Sequence, residues 1–261
     1  TSSERHTTAT LVTDDIQGTV DLFDDSVVHT ISLTYGQDDY DRLIAAYLED
    51  GEKEYIEASI TIDGTAIGSV GIRLKGNSTL RGLSSGTTGA QGGTGSTVSA
   101  DDPDSLPWLV SFDEYVEGQR YQGYEEIAIR PTTSGETMLN EALAQNLVAA
   151  AGEASEEVAY SSFSLNGGEA ALRLILEVPS ENYVESNFTN DGVLYKALST
   201  GSFTYLGEDP LAYDDAFEQI TRKKQQDLEP LIALLRWMDS ASDEEFAANL
   251  DKYVDVDSLA N

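Results

Sequence analysis

Hydrophobic residues along this chain recur at two spacings, and the change from one to the other marks its elements. Over residues 27–35 the spacing is two: Val27, His29, Ile31, Leu33 and Tyr35 share one face, the pattern of a half-buried strand. Over residues 38–49 it lengthens to helical spacing, with Tyr40, Leu43, Ile44, Tyr47 and Leu48 on one side. Asp38 or Asp39 can cap that helix and Gly51 can end it. Alternation returns over residues 55–62, Asp63-Gly64 supplies a two-residue hairpin turn, and residues 67–75 form the return strand.

The alternation lapses over residues 82–105, which are rich in Gly, Ser, Thr and Asp. Such a stretch buries too little surface to offset its ordering entropy, so it reads as a long mobile loop. Residues 106–112 and 124–130 then read as strands, and residues 137–151 as an amphipathic helix. Its stripe is Met138, Leu139, Leu143, Leu147 and Val148, and Gly152 is its stop. Residues 158–166 and 170–178 form a second hairpin about Asn166-Gly167-Gly168. A short strand follows at 193–198 and a helix at 228–238. Another helix spans 242–250, opened by the capping box Ser242-Asp243-Glu244-Glu245, and Asp257 can cap a third. The fold class is therefore α+β. Residues 1–26 form a polar tail or edge segment, residues 27–200 a sheet-rich lobe with one embedded helix, and residues 201–261 the beginning of a helical lobe.

Charge narrows the partners. With 47 acidic and 15 basic residues the formal net charge is −32. Such a surface repels phosphate backbones and anionic lipid, so nucleic acid is not an expected partner. Self-repulsion of this size is relieved by salt, because the Debye length falls from about 10 Å at 0.1 M to about 3 Å at 1 M. The charge fits either a saline or calcium-bearing exterior or an acidic exported protein. The chain has no cysteine, which excludes disulfides and thiolate chemistry. His6 and His29 are its two histidines, too far apart in sequence to suggest a histidine metal site. No apolar run approaches the roughly 20 residues of a membrane-spanning helix.

Several residues carry candidate chemistry. Lys75 ends a strand on which Ile72 and Leu74 face the core, so Arg73 and Lys75 face the other way. Gly76-Asn77-Ser78 follows at once and lets backbone approach a ligand closely. A lysine there can neutralise phosphate oxygens, and Glu141 in the embedded helix is placed to hold its ammonium. By spacing alone, both also read as solvated side chains. Glu177 ends an apolar strand just before Pro179, and Lys196 lies in the apolar context Leu194-Tyr195-Lys196-Ala197. The carboxylate clusters at 14–15, 21–25 and 209–215 lack calcium-loop spacing, and residues 86–95 lack the Gly-Lys-Ser/Thr of a phosphate-binding loop.

Taken in order, His29-Thr30-Ile31-Ser32-Leu33, Tyr40-Asp41-Arg42-Leu43, Ile60-Thr61-Ile62-Asp63-Gly64, Gly71-Ile72-Arg73-Leu74-Lys75-Gly76-Asn77-Ser78, Met138-Leu139-Asn140-Glu141, Leu174-Ile175-Leu176-Glu177 and Val193-Leu194-Tyr195-Lys196 resemble the CotH kinase family, named for a spore-coat protein. The resemblance covers about residues 27–200. It implies a protein-kinase-like fold, with an antiparallel sheet lobe, an embedded helix and then a helical lobe. It implies ATP and Mg2+, or another divalent cation, as cofactors and protein side chains as phosphate acceptors. It also implies an extracellular or cell-surface setting. Lys75 then resembles the phosphate-binding lysine and Glu141 its helix partner. Asn77 and Ser78 lie beside the nucleotide, Glu177 leads to the inter-lobe segment, and Lys196 follows in the Leu-Tyr-Lys motif. The family's acidic, asparagine-rich catalytic segment is expected after the C-terminal helices and is not found up to Asn261. The alternative function is a non-catalytic surface or matrix binding module on the same fold. A carbohydrate-associated domain has only Trp108 and Tyr121 in its favour, if they are exposed rather than core or rim residues.

Overall fold

The computed structural model describes residues 14–77, 79–84, 98–131, 139–189 and 192–260. The chain divides into two compact units, residues 1–145 with 156–178, and residues 146–155 with 179–261. The first unit thus ends at Val178, earlier than the expected boundary at residue 200.

In the first unit β1 (Asp15–Ile16) precedes β2 (Val28–Tyr35), α1 (Gln37–Asp50), β3 (Ile56–Ile62) and β4 (Thr65–Leu74). The short α2 (Arg81–Ser84), β5 (Trp108–Ser111), β6 (Arg120–Tyr121) and β7 (Glu126–Pro131) follow. Then come α3 (Leu139–Ala150), whose residues from Asn146 onward belong to the second unit, β8 (Val158–Leu165) and β9 (Ala171–Glu177). Seven strands in the order β2-β3-β4-β5-β7-β9-β8 close into a barrel. Both hairpin turns form as expected, with positive φ at Asp63 and Gly64 (48° and 84°) and at Asn166 and Gly167 (49° and 73°). These are the dihedrals a two-residue turn needs to match strand twist.

The expected lobe was an antiparallel sheet of a protein-kinase-like fold, and the structure corrects it to a closed seven-stranded barrel. The barrel closes through a parallel pair, β2 with β8, in which His29 lies beside Ser161 and Leu33 beside Leu165. The other neighbours are antiparallel. Alternation explains the interior: Ile31, Leu33, Ile60, Ile62, Val70, Ile72, Leu74, Val110, Ile127, Ile129, Phe163 and Ile175 all lie in one core. Trp108 and Tyr121 are buried in it, which removes the exposed aromatics that would have favoured carbohydrate binding.

Local expectations held to different degrees. Gly51 ends α1 in the left-handed region, but Gly36 rather than Asp38 or Asp39 occupies the N-cap. Asp39 instead bonds Arg42 at 2.8 Å. Of the expected mobile loop, residues 85–97 lie outside the described ones, while its end is built into the fold. Ser99 bridges Asp102, Ser105 Oγ donates to the Asp102 carbonyl at 2.7 Å, and Val98 is buried. Residues 14–26 are likewise bound in, with β1 parallel to β6 and Leu22 in the core.

The second unit holds α4 (Glu181–Asn187), β10 (Tyr195–Ala197), β11 (Phe217–Gln219), α5 (Glu229–Ser240), α6 (Asp243–Asn249) and α7 (Val256–Ala260). β10 and β11 pair as an antiparallel ribbon. The capping box forms as read, Ser242 Oγ accepting from the Glu245 N–H and Glu245 accepting from the Ser242 N–H. The cap of α7 is Asp255, whose Oδ1 accepts from the N–H groups of Asp257 and Ser258, and Asp257 lies inside the helix. Trp237 stacks between Phe246 and Tyr253, at centroid distances of 5.2 and 4.0 Å. None of the described helices is long and apolar enough to cross a membrane.

Candidate functional site

The outward face of the barrel beside α3 gathers the charged residues of interest. On β4 the inward positions Val70, Ile72 and Leu74 are fully buried, so Arg73 and then Lys75 turn outward as the alternation requires. Arg73 lies over the Tyr55 ring, 5.1 Å from its centroid. The Lys75 N–H donates to the Pro107 carbonyl at 3.0 Å, which fixes the chain just beyond the strand. Gly76 then adopts φ 111°, a conformation a side chain would strain. Asn77 Oδ1 accepts from Lys53 Nζ at 2.8 Å. Ser78 lies outside the described residues.

On β7 the inward residues are Ile127 and Ile129, and the outward ones are Ala128 and Arg130. Ala128 packs with Ala142 of α3 and with Val158, Leu174 and Leu176, which seats the helix on the outside of β7, β9 and β8. A small residue makes this contact, while the expected leucine stripe is left 59% (Leu139), 65% (Leu143) and 69% (Leu147) exposed. Met138 lies outside the described residues.

The same seating brings Glu141 to Arg130, with Oε1 3.2 Å from Nε. Both side chains are more than a third exposed, so this pair contributes little to stability and more to orientation. Glu156, just before β8, sits in the same patch. Burial raises its pKa, the Lys75 and Arg130 charges pull it down, and Glu141 pushes it up. Its N–H donates to Gln145 Oε1 at 3.1 Å. Glu156 thus lies within electrostatic reach of Lys75, Arg130 and Glu141.

Glu177 differs from a solvated strand end. It is 4% exposed, its N–H donates to the Glu157 carbonyl at 2.9 Å, and its Oε2 accepts from the Glu157 N–H at 3.2 Å. Burial pushes its pKa up to about 7, the Glu157 N–H opposes this, and the Glu157 and Glu156 charges add to the rise. Tyr124 donates its hydroxyl to the Glu157 carboxylate.

Lys196 belongs to the second unit. It lies across the ribbon from Glu218, its Nζ 3.8 Å from the carboxylate and its side chain 63% exposed.

Of the expected residues, Lys75 and Glu141 both lie within electrostatic reach of Glu156, whose charge in turn acts on Glu177. The sequence reading missed Arg130 and Glu156. Arg130 had a signal, since it takes the outward parity of an apolar strand. Glu156 had none, because a Glu-Glu pair ahead of a strand resembles any acidic surface. Two cations suit phosphate oxygens. Among the described residues no group of three or more His, Cys, Asp or Glu side chains is placed to hold a metal ion.

No curated protein matches the chain. Residues 72–261, from the Ile72 strand through the second unit, match the family model described as CotH kinase protein, and the chain belongs to the CotH kinase family.

Proposed function

We propose that this chain carries the nucleotide-binding part of a CotH-type atypical kinase, acting outside the cell or on its surface. Its first unit, on this reading, grips the phosphates of ATP for transfer to protein side chains. The observation that supports the reading is that Lys75, fixed just beyond the core strand β4, and Glu141, on the helix packed against the barrel's outer face, both fall within the residues that match the family. In kinases a sheet lysine neutralises the nucleotide phosphates and a helix glutamate keeps a cation in place. Lys75 is the phosphate-contacting group and Glu141 a positioning residue. Asn77 follows at the Gly76 bend, where backbone approaches the ligand, and Ser78 is assigned to the nucleotide from the family resemblance. Glu177 ends the strand from which the chain leaves the first unit, and Lys196 follows in the second. Mg2+ or another divalent cation, when bound, neutralises charge on the transferred phosphoryl group. Among the described residues no group of three or more His, Cys, Asp or Glu side chains marks a place for it. The part of the described side chains is to supply cations for the phosphates and carboxylates that orient those cations.

The test is Mg-ATP binding by calorimetry and phosphorylation of added protein, comparing the native chain with Lys75→Ala. The variant should bind at least about tenfold more weakly, as expected for loss of a charge-assisted contact, with an unchanged melting temperature. Equal affinity in the two proteins removes Lys75 from the site. Absence of ATP binding by the native chain leaves the family's fold serving as a surface or matrix binding module.

A further inference from the structure

We propose that the barrel interior holds one small anion of halide size, chloride in a saline medium, in a polar layer made by His29, Ser161 and Arg173.

Strand register places the three side by side. β2 and β8 pair His29 with Ser161, and β8 and β9 pair Ser161 with Arg173. Partners in register share a face of the sheet, with Cβ atoms about 4.5–5.5 Å apart. That face is the interior, because Ile31, Phe163 and Ile175, each two residues further along the same strands, belong to the core. His29 is 1% exposed, Ser161 0% and Arg173 2%.

Each of the three carries a buried polar atom without a hydrogen-bond partner among the described residues: His29 Nε2, Ser161 Oγ and Arg173 Nε. Buried polar atoms are nearly always paired, so three such atoms in one layer call for a common partner. Arg173 decides the charge of that partner. A guanidinium stays protonated in proteins and has only donors, so it needs an acceptor. Burial works against its charge, and the Asp104 and Asp102 charges oppose that effect only in part. Asp104 Oδ1 is itself buried without a partner. The Phe163 ring, 5.9 Å from the Arg173 Cζ, faces the cation without accepting a conventional hydrogen bond.

Ser161 adds an O–H donor beside the guanidinium. His29 is fixed through its other nitrogen: Nδ1 lies 2.7 Å from Asp63 Oδ2, and Asp63 Oδ1 accepts from the Thr30 N–H at 2.8 Å. Its Nε2 becomes a third donor when the ring is protonated. A lasting positive charge with donors beside it suits an anion better than water. The adjoining Ile31, Phe163 and Ile175 are apolar, so the outer oxygens of phosphate or sulfate would find no donors there. The net charge of −32 repels anions at low ionic strength, and salt screens that repulsion. Occupancy therefore grows with chloride by mass action and by screening together.

The test separates binding from screening. The whole chain is melted with sodium held at about 0.5 M, where screening is constant, while gluconate is exchanged stepwise for chloride. The native melting temperature should gain a saturating rise with chloride that Arg173→Met lacks. Ser161→Ala should raise the chloride concentration of half-rise about three- to tenfold, the range for one charge-assisted contact. Asp104→Asn removes a charge that competes for the guanidinium and should lower it by a similar factor. Crystals grown in bromide should show an anomalous peak in contact with Arg173 and Ser161.

A native chain without a saturating response overturns the site, as does a response that survives in Arg173→Met. Should Arg173→Met fail to fold, an unshifted half-rise in Ser161→Ala overturns it instead. Water at that position with no anomalous signal also overturns it, and leaves Arg173 and Asp104 as a water-bridged pair.

Discussion

In the first unit every second residue of seven mutually paired strands points into one shared core, and the apolar contacts are spread around a closed ring. The second unit gathers Tyr213, Ala216, Phe217, Leu231, Ile232 and Leu235 around one helix and a two-stranded ribbon, and buried polar groups do much of the fastening. Gln219 is the clearest of these. Its Nε2 donates to the Thr221 carbonyl and its Oε1 accepts from the Asp227 N–H, both at 2.8 Å. Tyr213 likewise donates to the Gly207 carbonyl and accepts from the Leu206 N–H, both at 2.8 Å. The barrel thus depends on volume and alternation, whereas the second unit depends on a few satisfied hydrogen-bonding hubs.

Three substitutions probe that contrast. Trp108 is fully buried among Tyr35, Tyr40 and the barrel interior, so Trp108→Ala should cost about 3–5 kcal/mol by urea denaturation. A loss below that of any second-unit variant would undo the contrast. Gln219→Leu leaves the Thr221 carbonyl and the Asp227 N–H without a partner, and should cost about 1–3 kcal/mol. Amide exchange should quicken in the ribbon while the barrel strands keep their protection, and uniform loss of protection would show the hub to be unimportant locally.

The third probe is a pH dependence. Glu177 holds its proton more tightly folded, at about 7, than at its ordinary value of 4.5. The folded state therefore binds more protons between these values, and the barrel loses stability as pH rises through that window. Glu177→Gln keeps an acceptor for the Glu157 N–H but removes the buried charge. Its melting temperature relative to the native chain should rise between about pH 4.5 and pH 8. A difference that stays flat across that range would show that the carboxyl is not held protonated by its surroundings.

Much of the barrel was legible because its information is local. Alternation located β2, β3, β4, β7, β8 and β9, and Asp63-Gly64 and Asn166-Gly167 carried their turn geometry in two residues each. The closing pair was not legible: β2 meets β8 across more than a hundred residues, and nothing in either strand's pattern names its partner. The second unit's β11 escaped for a different reason: Phe217-Glu218-Gln219 has one apolar residue, whereas the equally short β10 lies in the apolar run 193–198. Within the site, parity placed Lys75 outward correctly, and the helical pattern placed Glu141. The partner of Glu141 was harder to read, because the outward parity of Arg130 does not name the helix that packs over it. The leucines of α3 misled through their strength: a pronounced apolar stripe suggested the packed face, but the outer surface of the strands accommodates Ala142 there.

Ring closure matters in another way for so acidic a chain. At low ionic strength a net charge of −32 holds copies of the protein apart, whereas in brine that protection fades. An open sheet would then offer its unpaired rim to a neighbour and grow edge to edge. In the barrel each of the seven strands is flanked on both sides, so it presents no such rim when electrostatic repulsion is screened away. Colloidal stability of this unit is thereby decoupled from the salt that its surface charge calls for.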